Sequence, residues 1–404
     1  MNKNKPLSEK KVIIASYTHI SHGAYTTIGG PALTVKKYLL ANKIKCLVCI
    51  WQPVPISDTL STIEEVFENG KEVIKRKFYV VNWPFGRKKA ISLIYVLLKF
   101  RDIISTLTFS FGLRGSFDIF IGVESLNTII GILLRRIRLV RTVIYYNLDY
   151  AEVRFKNRAL NYIFHALDIF AVRHADYTWN LAEGIIDARN KRGVLNKKIR
   201  PPLLVPIGID LSAIKPLDIE QIERNTLVYL GILAPMQGVQ LIVEALPEIL
   251  KSMPDVKLII IGSGQLEETL KLVVAKNDLA KHVTFTGIIT NEEANSILCS
   301  CALGIAPYFP DPNSAMRGSD PTKPKMYLAC GLPVIITRVP PIARLIEENK
   351  AGLVIGYSKE ELVGAVLRLL SDEKLYLECR KNALEVAKQF DWINIMNNAF
   401  SYDY

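Results

Sequence analysis

Short apolar runs alternate with longer stretches of helical period, and the alternation occurs twice along the chain. In the first half the apolar run Lys11–Ala15 precedes a loop ending in Gly29-Gly30-Pro31 and a helical stretch over Ala32–Ala41. Further strands are predicted at Ile44–Ile50, Lys77–Val81, Phe117–Ile121 and Arg141–Tyr146, with helical stretches between them. In the second half strands are predicted at Thr226–Leu230, Lys257–Ile261, Val283–Phe285, Leu303–Ile305, Pro333–Ile336 and Gly352–Ile355. Helices fit at Val239–Lys251, Leu266–Lys276, Glu292–Cys299, Lys323–Cys330 and Pro341–Glu347, and the chain closes with helices over Glu360–Leu370, Glu373–Gln389 and Trp392–Ala399. Strands alternating with helices in this way predict βαβ units and parallel sheets covered on both faces.

The 404 residues exceed one comfortable core, so two α/β domains are expected. Arg200-Pro201-Pro202 and the polar stretch that runs on to Asn225 read as a linker. The domains are drawn at 1–212 and 213–389.

Charge separates the halves further. Residues 1–200 carry 32 Lys/Arg against 15 Asp/Glu, whereas residues 201–404 carry 19 against 24. A basic half beside an acidic one implies that the first faces something anionic, such as a membrane leaflet or a phosphorylated acceptor. Nucleic acid is not the expected partner, since the chain has no zinc-finger spacing, RNP-like signature or basic-zipper region. The stretch 85–114 mixes Arg87, Lys88, Lys89, Lys99 and Arg101 with Ile, Leu, Val and Phe. That pattern fits either a basic helix lying on a membrane or a domain helix packed on its sheet. Residues 1–11 lack the apolar core of a signal peptide, and no apolar run reaches the roughly 18 residues of a membrane span. The expectation is a cytoplasmic protein, peripheral on the inner face of the cell membrane. The six cysteines form no disulfide or zinc pattern, because the Cys46/Cys49 pair sits within an apolar strand.

Candidate chemistry gathers where second-half strands end. Gly231 follows the first of them, Gln237-Gly238 opens a helix, Gly262-Ser263-Gly264 follows the next strand, and Thr286-Gly287-Ile288 the third. Glycine permits close backbone approach, and helix N-termini offer free N–H groups to phosphate. Asp320, Thr322 and Lys323 lie in a loop that enters the helix before Gly331-Leu332-Pro333. The carboxyl edge of a parallel sheet is where α/β proteins bind ligands.

The segments VPIGID, YLGILAPMQG, LIIIGSG, VTFTG and KPKMYLACGLPVI, in that order and spacing, resemble the C-terminal domain of GT-B glycosyltransferases of the retaining family four. The resemblance covers residues 205–390 and extends more loosely to Gly29-Gly30. It implies a fold of two doubly wound, Rossmann-like domains facing across a cleft, with residues 390–404 packing back on the first. It implies an N-terminal acceptor domain and a C-terminal domain for a nucleotide-sugar donor, with sugar transfer to an acceptor hydroxyl, no metal cofactor, and a glycan or lipid-linked acceptor.

By position, Gly262, Ser263, Gly264, Gly287 and Ile288 would border base and ribose. Gly231, Gln237, Gly238, Thr322 and Lys323 would approach the diphosphate, and Gly29 and Gly30 would cap it. Lys323 would stabilise the leaving diphosphate, with Asp320 contacting the sugar or fixing Lys323. Asp149, after a first-half strand, would orient the acceptor hydroxyl or take its proton, and His22, Arg154 and Lys156 would face the acceptor. The chain departs from the family at four places: Ile232 and Gln237 stand where an Arg and a Lys are usual, and the paired glutamates fall at Gly318 and Met326. Two other readings stay open: a catalytically inactive GT-B partner subunit and a nucleotide-sugar epimerase.

Overall fold

Runs rich in Val, Ile and Phe become the inner strands of two separate sheets. The structure, a computed structural model, describes residues 5–21, 24–26, 30–54, 61–78, 93–112, 115–155, 157–195, 200–311, 315–402 and 404. Two compact units emerge: Met1–Pro206 with Met396–Tyr404, and Ile207–Ile395.

Unit 1 runs β1 (Lys11–Ser21), β2 (Ala24–Thr26), α1 (Gly30–Ala41), β3 (Cys46–Pro53), β4 (Thr62–Glu68), β5 (Lys71–Phe78), α2 (Leu93–Phe111), β6 (Phe117–Val123), α3 (Ser125–Arg136), β7 (Val140–Asn147), α4 (Arg158–His174), β8 (Tyr177–Asn180), α5 (Glu183–Lys191) and β9 (Leu203–Leu204). Its sheet has the order β5-β4-β3-β1-β6-β7-β8-β9, with β2 antiparallel to β1. The strands from β3 through β1 to β9 are parallel.

The expected strand at 77–81 is replaced by an antiparallel hairpin of β4 and β5. Asn69-Gly70 joins the two strands with positive φ at both residues, 49° and 83°. That conformation suits a tight two-residue hairpin, for which Asn-Gly is the preferred pair. Residues 79–81 of the expected strand lie outside the described residues.

Unit 2 runs β10 (Glu223–Leu230), α6 (Val239–Ser252), β11 (Lys257–Ile261), α7 (Glu267–Lys276), β12 (Val283–Gly287), α8 (Asn291–Ser300), β13 (Cys301–Ala306), α9 (Thr322–Ala329), β14 (Val334–Thr337), α10 (Ile342–Glu348), β15 (Gly352–Ile355), α11 (Lys359–Ser371) and α12 (Glu373–Ala387). Its six strands are all parallel, in the order β12-β11-β10-β13-β14-β15. Leu227, Leu258, Leu303 and Ile335 pack one face with α6 and α11, whereas Val228, Ile336, Leu328 and Ala383 pack the other with α9 and α12. Local signals set the helix starts. Thr290 and Glu293 form a capping box at α8, and Ser358 and Asp372 cap α11 and α12.

The units divide at Pro206 rather than at residue 212, because Ile207 is already tied to unit 2. Its amide donates to Asp320 Oδ2 at 2.8 Å and its carbonyl accepts from Lys325 Nζ at 2.8 Å. The last helix, α13 (Trp392–Phe400), changes membership at Met396. Beyond that point Asn397 Oδ1 accepts from the Tyr38 hydroxyl at 2.7 Å, and Phe400 stacks on the Tyr38 ring.

In the stretch 85–114, residues 85–92 and 113–114 lie outside the described residues. The described C-terminal half of α2 buries Asp102, Ser105, Thr106 and Ser110, while Ile104 and Phe111 are 59% and 58% exposed. Phe109 is buried in the sheet's core with Ile103 and Leu107 packed against it, as the domain-helix reading expects, and the inward polar groups are held by bonds such as that from Gln52 Nε2 to Thr106 Oγ1 at 2.6 Å.

Candidate functional site

The second sheet reverses its strand order at β10, which has β11 on one side and β13 on the other. The crevice at the carboxyl ends of β10 and β13 is thus the expected ligand position in unit 2. Tyr327 on α9 closes its floor: its hydroxyl accepts from the Leu230 amide at 2.7 Å and donates to the Ile305 carbonyl at 3.3 Å. The ring has room because Gly304 lies beneath it.

Lys323 stands at this crevice. It is buried, and its Nζ lies 4.1 Å from the Tyr229 ring centroid and 4.8 Å from that of Tyr308. Its hydrogen bond is to Gln237 Oε1 at 3.3 Å, and no carboxylate pairs with it among the described residues. Two aromatic faces stabilise an ammonium only partly, and burial lowers the Lys323 pKa from 10.5 to about 7. A side chain on Gly231 would come within 3.1 Å of Lys323 Cε, so the glycine leaves the lysine stem uncovered.

Lys325, two residues on, is fully buried and differs in every partner. Its Nζ meets the Asp320 carboxylate at 2.6 Å, accompanied by the Ile207 carbonyl and the Phe390 ring. Burial lowers its pKa while Asp320 works against the shift. Asp320 is therefore tied to Lys325 and to the Ile207 amide, not to Lys323. That corrects the expectation that it fixes Lys323: both its oxygens are engaged by Lys325 and Ile207.

The glycine turns meet along the same edge. The Gly231 amide donates to the Ile261 carbonyl and the Gly262 amide to the Gly287 carbonyl, each at 2.9 Å. Gly262 has φ 125°, and a Cβ there would overlap the Gly231 carbonyl. Gly238 has φ 74° and would overlap the Pro307 carbonyl. Close chain approach thus accounts for these two glycines before any ligand is considered. The Leu233 amide bonds the Ser263 carbonyl, and Gly264 packs under Leu233. Ile232 and Ile288 project outward, 66% and 82% exposed, whereas Met326 is half-buried against the core. Thr322 is exposed as the first residue of α9.

The first-half candidates are brought together less fully. Asp149 is exposed and paired with Arg154, whose backbone amide bonds Asn161 Oδ1 at 2.8 Å. Gly30 opens α1. His22, Gly29 and Lys156 lie outside the described residues. A buried network not anticipated from the sequence lies behind Asp149: Arg189 Nη2 donates to Asp168 Oδ1 at 2.5 Å, and the Tyr145 hydroxyl donates to the same oxygen at 2.7 Å. All six cysteines are free thiols. No cluster of three or more His, Cys, Asp or Glu suited to a metal occurs among the described residues.

Residues 224–372 match the family model described as Glycosyl transferases group 1. The GDP-mannose-dependent alpha-(1-6)-phosphatidylinositol monomannoside mannosyltransferase of Mycobacterium tuberculosis is 32% identical over 157 residues, 37% of this chain and 39% of that protein. The D-inositol 3-phosphate glycosyltransferase of Acidothermus cellulolyticus is 26% identical over 235 residues, 54% of this chain and 49% of its own. The chain therefore matches these curated relatives over half of their length or less. Among solved structures, sucrose-phosphate synthase from Thermosynechococcus elongatus matches with TM-score 0.66 and 17% identity, covering 97% of both chains. HepE from Anabaena, solved in complex with UDP, gives TM-score 0.64 at 13% identity, covering 96% of this chain and 98% of that one. The fold is GT-B.

The resemblance read from the sequence holds, and within this GT-B chain the family match falls on unit 2. Tyr229 and Tyr308 are the residues that sequence reasoning missed there. Each is a lone tyrosine at or just beyond the end of an apolar strand, a signal indistinguishable from core packing before the two strands are seen to flank the crevice.

Proposed function

We propose that this chain is a glycosyltransferase that moves a sugar from a nucleoside-diphosphate donor to a hydroxyl of a glycan or lipid-linked acceptor. The observation that carries the reading is Lys323, a buried cation at the carboxyl edge of unit 2 with no carboxylate of its own. A diphosphate is the partner such a group lacks: charge-assisted hydrogen bonds to phosphate are strong, and this one forms in a partly dehydrated site. In transfer the bond from the anomeric carbon to the diphosphate oxygen breaks as the acceptor hydroxyl oxygen bonds that carbon and its proton passes to the departing diphosphate, whose developing negative charge the Lys323 ammonium stabilises. Retention of configuration and transfer without a metal are part of the proposal, since a chain-borne cation takes the role a metal otherwise serves.

The Mycobacterium tuberculosis relative supports a GDP-sugar and a lipid-borne acceptor, whereas the HepE complex makes UDP the alternative. A membrane-held acceptor is also favoured by α2, which exposes Ile104 and Phe111 in the basic half of the chain. None of the described helices is long and apolar enough to cross a membrane.

Thermal melts with GDP, UDP, GDP-mannose and UDP-glucose, with and without EDTA, test the reading. A ligand at about a hundred times its dissociation constant adds roughly 2.7 kcal/mol of stability. A shift with one nucleotide family that survives EDTA is expected, and no shift with any of them would contradict the donor site. A second reading, a donor-binding subunit without transfer activity, is favoured by Ile232 and Met326 at positions where the family carries a cation and a carboxylate. A nucleotide shift accompanied by no sugar transfer would select it.

A further inference from the structure

Glu124, immediately after β6, has φ 69° and ψ 162°. Only glycine enters that region freely, and another residue stays there only where its surroundings over-determine the backbone. Here they do. The Glu124 amide donates to the Tyr146 carbonyl at 3.0 Å, and its carbonyl accepts from the Thr128 amide at 3.1 Å and hydroxyl at 2.9 Å. A glycine would keep all three bonds without strain, so the backbone does not explain the side chain.

The side chain sits where a ligand is expected. In unit 1, β1 has β3 on one side and β6 on the other, which places the strand-order reversal at the carboxyl ends of β1 and β6. The Glu124 carboxylate lies toward β7, where Oε1 accepts from the Leu148 amide at 3.3 Å. The adjoining strands supply an independent observation. Asn147 and Asn180 are register partners at the ends of β7 and β8, and both are buried. Asn147 Oδ1 and Asn180 Nδ2 have no hydrogen-bond partner among the described residues. One acceptor beside one donor is the complement of a hydroxyl group.

We propose that Glu124, with Asn147 at the end of the adjoining strand and Asn180 at the end of the next, anchored by their other amide atoms to Tyr145 and Arg189 respectively, grips the hydroxyls of a polyol acceptor and is a positioning residue for the transfer reaction. The proposal rests on the transferase reading above. The charged and titratable groups around Glu124 are Asp149 and Arg154 from the loop after β7, Asp168 from α4, Arg189 from α5, Tyr145 from β7 and Lys99 from α2. Burial first, and then the Asp149 carboxylate, raise the Glu124 pKa to about 7. Its charge therefore changes across neutral pH, and with it the strength of a hydroxyl-to-carboxylate bond.

The test compares wild type with Glu124→Gly and Glu124→Gln by melting midpoint, by the midpoint shift with GDP or UDP, and by nucleoside-diphosphate release. Release is followed from GDP-mannose or UDP-glucose over phosphatidylinositol vesicles between pH 5.5 and 8.5. Glu124→Gly is expected to melt about 2–4 °C higher through relief of strain, to lose at least about tenfold in rate, and to keep the nucleotide shift. Glu124→Gln is expected to keep its midpoint but lose the acid-side limb of the wild-type pH–rate profile, while the alkaline fall that follows Lys323 stays. A glycine variant no more stable than wild type overturns the assignment, as do wild-type rates and pH profile in both variants. A wild type that shows no nucleotide shift, or shifts but releases no diphosphate, overturns the transferase reading and this inference with it.

Discussion

The two sheets end in opposite chemistry. At the carboxyl edge of unit 2 a buried ammonium, Lys323, sits against two tyrosine rings with no acid to meet it. At the corresponding edge of unit 1 the strained, partly buried group is a carboxylate, Glu124, with Asp149 close enough to raise its pKa. A cation lacking an anion suits a phosphate, and hydroxyl-complementary groups around a carboxylate suit an uncharged polyol. On the proposed reading, the division of labour between donor and acceptor follows the sign of one group per unit. The same contrast appears over two residues within α9. Lys325 has its acid, Asp320; Lys323 has none among the described residues and is the one we assign to a ligand.

The comparison breaks most visibly at Asp320. Asp320→Ala removes the carboxylate that pairs with the fully buried Lys325, and leaving such a charge unpaired costs about 3–5 kcal/mol. Chemical denaturation is expected to show that loss, with folded protein still binding nucleotide at low temperature. Lys323→Met should do the reverse. Nucleotide affinity falls by about 2–3 kcal/mol, roughly 30- to 160-fold, while stability holds or rises because a desolvated ammonium is replaced by an apolar chain. Isothermal titration paired with a melt reads both effects, and a variant that unfolds while keeping affinity would exchange the roles assigned to the two lysines.

The pH dependence of stability sharpens the contrast. The folded Lys323 pKa, about 7, lies below the ordinary 10.5. Between these values the unfolded chain binds the extra proton, so stability rises with pH across that window. The penalty for the buried charge is fully present below pH 7 and fades toward pH 10.5. The difference in unfolding free energy between wild type and Lys323→Met should narrow as pH rises, and a constant difference would mean that the lysine is not desolvated. The smallest effect is expected at the surface. Ile104→Ser with Phe111→Ser should change stability by no more than about 0.5 kcal/mol yet weaken binding to anionic vesicles in a sedimentation assay.

Unit 2 was legible because its signals are local and repeated. Six apolar runs end in glycine turns or buried helices, and each predicted strand is found within a few residues of its place. Unit 1 was less legible where pairing is not local. The Asn69-Gly70 turn was readable as a hairpin signal, but its strands, TIEEVFE and KEVIKRKF, carry Glu and Lys at positions an apolar pattern would leave to loops. Glu64 is met there by Arg76, and Glu65 by Lys36, Lys75 and the Trp51 indole. At the site, Lys323 and Gln237 were singled out, the lysine from its place at the start of α9, but the tyrosines were not: Tyr229 and Tyr308 converge only once β10 and β13 lie side by side. Asp320 was misjudged because a carboxylate in a loop looks free in a sequence, whereas Lys325 had already engaged it. Asp149 is also paired, with Arg154, but on the exposed surface.

The central claim is that the Lys323 ammonium holds the donor's diphosphate. The most direct measurement is calorimetric titration of GDP and of UDP into wild type and Lys323→Met from pH 6.5 to 9. The account predicts that wild-type affinity for one of the two weakens above pH 7, approaching about tenfold per pH unit as binding must draw a proton onto the lysine, and that the variant binds weakly with no such slope. Tight binding by the variant, or a wild-type affinity flat across this range, would contradict it.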